Sequence, residues 1–240
     1  MSVIVAIQNT LLNLVYPPLC LACGIETDAS NGLCPSCWSS TEFIYDTACT
    51  ACGAPLLGEG EGLCEECFSS HPPWDDGTAV AVYGPITARI VTALKHGDRL
   101  EIVPRLGTWM ATRTRDVTSP GAILIPIPVH WTRLVRRRYN QSELLAHVIA
   151  RELGLTIQTQ TLVRSRPTKQ QRQMSREDRT KNQSDSFVVV DPARIEGKHV
   201  ILVDDVMTTG ATLRSAAETL QKSGVKAISI SVFARVAPNL

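Results

Sequence analysis

The sequence predicts an α/β protein: a mostly parallel sheet flanked by helices, with a small cysteine-rich domain ahead of it. Three observations predict this. From Thr78 onward, short apolar runs alternate with stretches of helical periodicity. All eight cysteines lie between Cys20 and Cys67. Charge divides at the same place: residues 1–77 hold ten Asp or Glu and no Lys or Arg, so residues 78–240 carry all 24 basic residues against 13 acidic ones. Opposite charge and different cysteine usage read as two domains, 1–73 and 74–240, parted where Pro72-Pro73 punctuates the chain.

The formal net charge of +1 averages over this division and says nothing about an anionic partner. Aromatic residues make up 5% of the chain, which argues against a surface built mainly for stacking bases. The longest apolar runs, Val3–Ile7 and Ala122–Val129, fall short of the roughly 18 residues a membrane span needs. The first residues show no basic segment and no small-residue cleavage site, so a secretory leader is not expected and a cytoplasmic location is.

Val3–Val15 carries apolar residues at 4, 7, 11, 14 and 15, one stripe of a helix. With no basic residue on its polar face it is expected to pack on a core, membrane or partner contact being the alternative. Four Cys-x-x-Cys pairs follow: Cys20/Cys23, Cys34/Cys37, Cys49/Cys52 and Cys64/Cys67. Each knuckle offers two thiolates and two knuckles complete a tetrahedron, a shell that suits zinc. Two structural zinc ions are expected, one on the first four cysteines and one on the last four. An arrangement crossed between knuckles satisfies the spacing equally. Gly24 and Gly53 follow the first and third pairs, where a tight turn is required. Disulfides are the rival in an oxidising compartment, and iron–sulfur ligation a lesser one. A closed shell leaves no open coordination position, so the metals are expected to staple a small domain, and chelation to melt only the first 70 or so residues.

The second region reads as strand Thr78–Tyr83, helices Ile86–His96 and Glu101–Arg115, strand Ala122–Val129, and helix Ser142–Leu153 stopped by Gly154. Strand His199–Val203, helix Thr212–Lys222 with Gly224 as its stop, and strand Ala227–Ala234 complete it. The sharpest signal is Val200-Ile201-Leu202-Val203 followed by Asp204-Asp205 and then Thr208-Thr209-Gly210-Ala211-Thr212. A strand buried on both faces thus delivers two carboxylates to its C-terminal end, where open α/β sheets bind ligands. The hydroxyl-rich turn opening a helix is a phosphate site. Carboxylates accept from sugar hydroxyls, so a phosphorylated ribose satisfies both features. The rival is a strand whose acids merely cap the next helix. No Walker A loop occurs, and a dinucleotide fold would place glycines where the acids stand.

Two basic segments accompany this strand. Arg133, Arg136, Arg137 and Arg138 follow Pro126–Pro128 and precede Tyr139-Asn140-Gln141-Ser142, where Ser142 is the candidate cap of the next helix. These arginines suit a pyrophosphate or form a solvated loop. Arg164–Lys181 has seven basic and two acidic residues and reads as a lid or as disordered chain. His96, His130 and His147 are isolated, with surface or packing roles expected.

The acidic pair with Thr208–Thr212 resembles the phosphoribosyl pyrophosphate (PRPP) signature of type I phosphoribosyltransferases. With the four knuckles, Leu94-Lys95-His96-Gly97-Asp98 and the Thr168–Asn182 segment, nearly the whole chain resembles the ComF/GntX family. One departure stands out: members often have Gly-Phe before Asn-Gln, where this chain has Arg138-Tyr139. The resemblance implies a phosphoribosyltransferase-like domain behind a double zinc ribbon. Asp204 and Asp205 would hold ribose hydroxyls, Thr208, Thr209, Gly210, Ala211 and Thr212 the 5′-phosphate, and Arg133–Arg138 the pyrophosphate. Magnesium would accompany PRPP, and Arg164–Asn182 would be the loop that closes. It implies a role in DNA uptake, natural competence or DNA utilisation, with single-stranded DNA on the basic domain and other DNA-uptake proteins as partners. Two functions stay open: a PRPP-type site that binds without turnover, and a glycosyltransferase moving phosphoribose to an acceptor.

Overall fold

A computed structural model describes residues 17–27, 32–45, 47–56, 62–96, 99–129, 135, 138–164 and 187–237. The helix expected over Val3–Val15, the arginines Arg133, Arg136 and Arg137, and nearly all of the Arg164–Asn182 segment lie outside these residues.

In chain order the strands are β1 (Asp76–Val82), β2 (Ile123–Pro126), β3 (Thr156–Ile157), β4 (Leu162–Arg164), β5 (Phe187–Val189), β6 (His199–Met207) and β7 (Ala227–Arg235). The helices are α1 (Pro35–Ser39), α2 (Glu65–Ser69), α3 (Pro85–His96), α4 (Val103–Thr114), α5 (Gln141–Leu153) and α6 (Ala211–Gln221). Five strands form one sheet in the order β1-β7-β6-β2-β3, every pair parallel. Such a sheet needs cover on both faces, which is why Val200–Val203 in its middle have no solvent exposure. Helices α3, α4 and α5 share one apolar cluster with Ile201 and Val203; α6 shares the other with Val200 and Leu202.

The strands differ from expectation at their ends. β2 stops at Pro126 because Pro126 and Pro128 lack the N–H the ladder needs, though Ile127 still donates to Val203 O at 2.9 Å. β6 runs past Val203 to Met207, since β7 continues beside it and pairs with Asp204, Val206 and Met207. The acidic pair therefore stands within the ladder. Strands β3, β4 and β5 were not expected. β4 and β5 pair antiparallel, Leu162 opposite Val189 and Arg164 opposite Phe187.

The cysteine-rich region straddles the β1 edge of the sheet. Cys20, Leu21, Leu33, Cys34 and Cys37 join the α3–α5 cluster, whereas Cys49, Cys52, Cys64 and Cys67 join the α6 cluster. Between them, Ile44 N–H donates to Val80 O at 2.9 Å and Val82 N–H to Glu42 O at 2.8 Å. This short antiparallel bridge covers the edge of β1, which otherwise presents unpaired backbone groups. Trp38 and Phe43 meet tilted at 39° with ring centres 4.5 Å apart, and Phe43 meets Trp109 of α4 edge-on at 5.7 Å. Gly53 shows how close the approach is: its φ is +69°, and a β-carbon there would stand 2.5 Å from Ala79 N.

Candidate functional site

The cysteines form two sets, Cys20/Cys23/Cys34/Cys37 and Cys49/Cys52/Cys64/Cys67, each with its sulfurs within 4.8 Å of one another. Spacing alone left a crossed arrangement open; the chain folds into the sequential one. Zinc with Zn–S bonds of about 2.3 Å requires tetrahedral edges of about 3.8 Å. Cys23 Sγ and Cys34 Sγ lie 3.8 Å apart, and Cys52 Sγ and Cys64 Sγ 3.7 Å. The two four-cysteine clusters fit two structural zinc ions. Gly24 and Gly53 turn the chain at φ +75° and +69°, as the knuckles require. Their N–H groups donate to the carbonyls of Cys20 and Cys49. Cys34 N–H donates to Cys20 Sγ at 3.3 Å, a bond that favours the thiolate.

A second site opens beyond the C-terminal ends of β1, β2 and β6. It is a cleft of about 380 Å³ whose walls include Tyr83, Lys95, Ser142, Asp204, Asp205 and Thr208. Asp204 Oδ1 accepts from Ser142 Oγ and from the Asp205 N–H, both at 2.9 Å. Asp205 is buried, and its Oδ2 pairs with Lys95 Nζ at 2.9 Å. Burial, and then the Asp205 charge, push the Asp204 carboxyl up to about 7, against the pull of Lys95 and of its two hydrogen bonds. The pair thus has one compensated acid and one that titrates near neutrality.

Thr208–Thr212 with Asp204 line an adjoining hollow of about 120 Å³. Gly210 is the N-cap of α6 at φ +71°, and no side chain caps the helix. The first N–H groups of α6 have no side-chain acceptor there, the arrangement that suits an anion. A β-carbon on Gly210 would meet Met207 Cε at 2.6 Å, so the turn requires glycine twice over.

Of the residues expected here, Asp204, Asp205, Thr208 and Thr212 meet in the cleft, and Thr209, Gly210 and Ala211 in the hollow. Arg138 is exposed and does not line the cleft. Its φ of +66° is in the left-handed region, where the ComF/GntX pattern often has glycine. Ser142 is not the cap of α5: Asn140 is, its Oδ1 accepting the Ser142 N–H at 3.1 Å. The Ser142 hydroxyl is thereby left for Asp204. Tyr139 and Asn140 anchor the same segment, donating to Leu94 O at 2.6 Å and Ile127 O at 3.1 Å.

Sequence reasoning missed Tyr83 and Gln141 as lining groups. Gln141 Oε1 is buried without a hydrogen-bond partner among the described residues, an acceptor at the cleft wall. Arg164, the first residue of the long basic segment, also lines the cleft, with its guanidinium 4.9 Å from the centre of the Phe187 ring. His96 lines it too, although a surface or packing role was expected.

The parallel sheet, the acid pair and the hydroxyl loop, joined to two four-cysteine clusters, define a phosphoribosyltransferase-like α/β protein behind a double zinc ribbon. Residues 11–73 match the double zinc ribbon domain family and residues 140–238 the phosphoribosyl transferase domain family. The chain is 30% identical over 92% of its length to DNA utilization protein YhgH of Escherichia coli K12, covering 99% of that protein. It is 32% identical to competence protein F of Haemophilus influenzae, over 86% of this chain and 92% of that one. Competence protein ComFC of Bacillus subtilis is 27% identical, over 84% and 82%. The chain belongs to the ComF/GntX family. Among solved structures, the glutamine PRPP amidotransferase of B. subtilis superposes with a TM-score of 0.41 at 17% identity, over 59% of this chain and 30% of that one.

Proposed function

We propose that the cleft binds PRPP or another phosphoribosyl ligand, and that the protein serves DNA uptake or DNA utilisation in the cytoplasm. One observation carries the ligand assignment: two carboxylates and a hydroxyl-rich helix N-terminus border connected hollows, with Asp204 common to both. In this reading Asp204 and Asp205 accept from the ribose hydroxyls. Lys95 pairs with Asp205 from the cleft wall. The N–H and hydroxyl groups of Thr208, Thr209, Gly210, Ala211 and Thr212 hold the 5′-phosphate at the α6 N-terminus. Arg164, at the cleft wall, and the arginines 133, 136 and 137 approach the pyrophosphate, whereas Arg138 lies outside the cleft lining. Magnesium, arriving with the pyrophosphate, balances phosphate charge. The biological setting comes from the relatives, which carry the names DNA utilization protein and competence protein.

In the same reading residues 1–73 are a metal-stapled unit without nucleic-acid contact, and 74–240 carry the ligand site and the basic surface for single-stranded DNA. Binding of DNA there falls steeply with salt through counterion release. Tight, salt-insensitive binding by the acidic ribbon contradicts the assignment.

Turnover is favoured by the surroundings of Asp204: burial and the Asp205 charge raise its carboxyl toward neutrality, which suits proton transfer to or from an acceptor. Calorimetry with PRPP and magnesium, beside an assay for pyrophosphate release with candidate bases, tests both readings. Binding without release supports a binding protein, release supports a transferase, and no binding removes the phosphoribosyl assignment.

A further inference from the structure

Arg235, the last residue of β7, is 1% exposed. A guanidinium taken out of water must find acceptors. Its Nη1 donates to the carbonyls of Met207, Thr208 and Val236, the Met207 bond long at 3.5 Å and the Val236 bond 2.6 Å. Its Nη2 meets Glu66 Oε2 at 2.9 Å. Met207 and Thr208 begin the hydroxyl loop. Glu66 lies between Cys64 and Cys67, two ligands of the second cysteine cluster, and its side chain is half-exposed. A cavity of about 550 Å³ separates the knuckle from the loop, bordered by Pro55, Cys64, Glu66, Thr208, Thr209 and Arg235. Among the described residues, this ion pair joins the knuckle to the loop across that gap.

The direction of these bonds matters. In a planar trans peptide the carbonyl and the N–H point opposite ways. The Thr208 carbonyl, held by Arg235, turns the N–H of Thr209 away from it, while the Met207 carbonyl, held mainly by the Val236 N–H at 2.9 Å, turns the Thr208 N–H the same way. Those are donors of the anion-binding turn. Three carbonyls satisfy hydrogen bonds but leave the buried positive charge uncompensated; Glu66 supplies the compensation and fixes the other arm of the fork.

We propose that Arg235 and Glu66 are positioning residues through which the second four-cysteine cluster holds the phosphate loop in its binding shape. The ribbon is then part of the ligand site, although its cysteines touch no ligand. This rests on the reading of Thr208–Thr212 as a phosphate site.

Hydrogen exchange on the zinc-loaded full chain tests the coupling without any ligand. Glu66→Ala should raise exchange at the amides of 208–212 several-fold while two zinc ions per chain remain. Glu66→Gln, which keeps an acceptor but loses the compensating charge, should restore only part of the protection. PRPP affinity should follow, about tenfold weaker in Glu66→Ala and intermediate in Glu66→Gln. Unchanged loop exchange in zinc-loaded Glu66→Ala overturns the proposal. Should that variant shed zinc, Arg235→Lys makes the same comparison from outside the knuckle, because one ammonium cannot span both the loop carbonyls and Glu66. Unchanged exchange there overturns the proposal equally. Failure of the wild-type chain to bind PRPP removes the ligand reading, while the exchange comparison still decides the coupling.

Discussion

Lys95 Nζ lies 2.9 Å from Asp205 Oδ2, and this one ion pair makes the two adjacent acids unlike. Asp205 is buried beside a cation. Asp204 has hydrogen bonds from Ser142 and the Asp205 N–H but no cation within bonding distance among the described residues, and it feels the charge of its neighbour. The pair therefore combines an acid held by a cation with one raised toward neutrality by burial and by its neighbour.

Replacing both acids with Asn keeps size and acceptors but removes both charges. Hydrogen bonds to charged groups are worth about 1.5–3 kcal/mol, so affinity for PRPP or ribose 5-phosphate should drop tenfold or more. Calorimetric titration beside a thermal melt measures it. Undiminished binding by a folded double variant would sink the ribose assignment.

Stability should carry the mark of Asp204. Its folded pKa is raised from 3.8 to about 7, so the folded state holds the proton more tightly than the unfolded state. The contribution to stability is present below about 4 and is lost as pH rises through 7. Urea midpoints between pH 4 and 8 should show this fall in the wild type and a flatter profile in Asp204→Asn. Parallel profiles would remove the titration assigned to Asp204.

Elemental analysis should give two zinc ions per chain. Composition led to the expectation that chelation melts the ribbon alone, but every cysteine except the exposed Cys23 is embedded in one or other apolar cluster of the sheet. Metal removal should therefore lower the melting temperature of the sheet as well, read by fluorescence of Trp74 and Trp109. A sheet transition indifferent to chelator would restore the picture of an independent ribbon.

Arg138→Gly should stabilise the chain. A non-glycine residue at φ +66° costs about 1–2 kcal/mol, and the greater unfolded freedom of glycine returns part of that. A net gain of about 0.5–1 kcal/mol is expected in chemical denaturation. A net loss would mean that the exposed guanidinium holds a contact worth more than the backbone strain.

Much of this was legible because the signals are local. Val200–Val203 announces a strand buried on both faces, and the two acids followed by Thr208–Thr212 announce what it presents. Cysteine spacing of two residues dictates knuckle geometry. What stayed hidden depends on distant partners. Nothing local to Lys95 says that it meets Asp205, or that Arg235 meets Glu66. Ser142 looked like a helix cap because its type suits one, yet Asn140, two residues earlier, competes for the same N–H and wins. β3, with two residues, has no period to read. Spacing supplies the knuckles but fixes neither which two share a metal nor the faces they pack on, so the sequential shells and the grip of the ribbon on the β1 edge appear only in three dimensions.

That grip sets an order of assembly. β1 is made early, directly after the ribbon, but its partner within the sheet is β7, the last strand described. On a ribosome the ribbon and β1 emerge with neither sheet face to lean on, and wait through the synthesis of α3 to α6. Metal binding needs only local chain and can close each knuckle during that wait, whereas docking needs contacts that span most of the sequence and form slowly. A nascent chain stalled before β7 would hold zinc, yet bare the apolar sides of both four-cysteine clusters to solvent and chaperones.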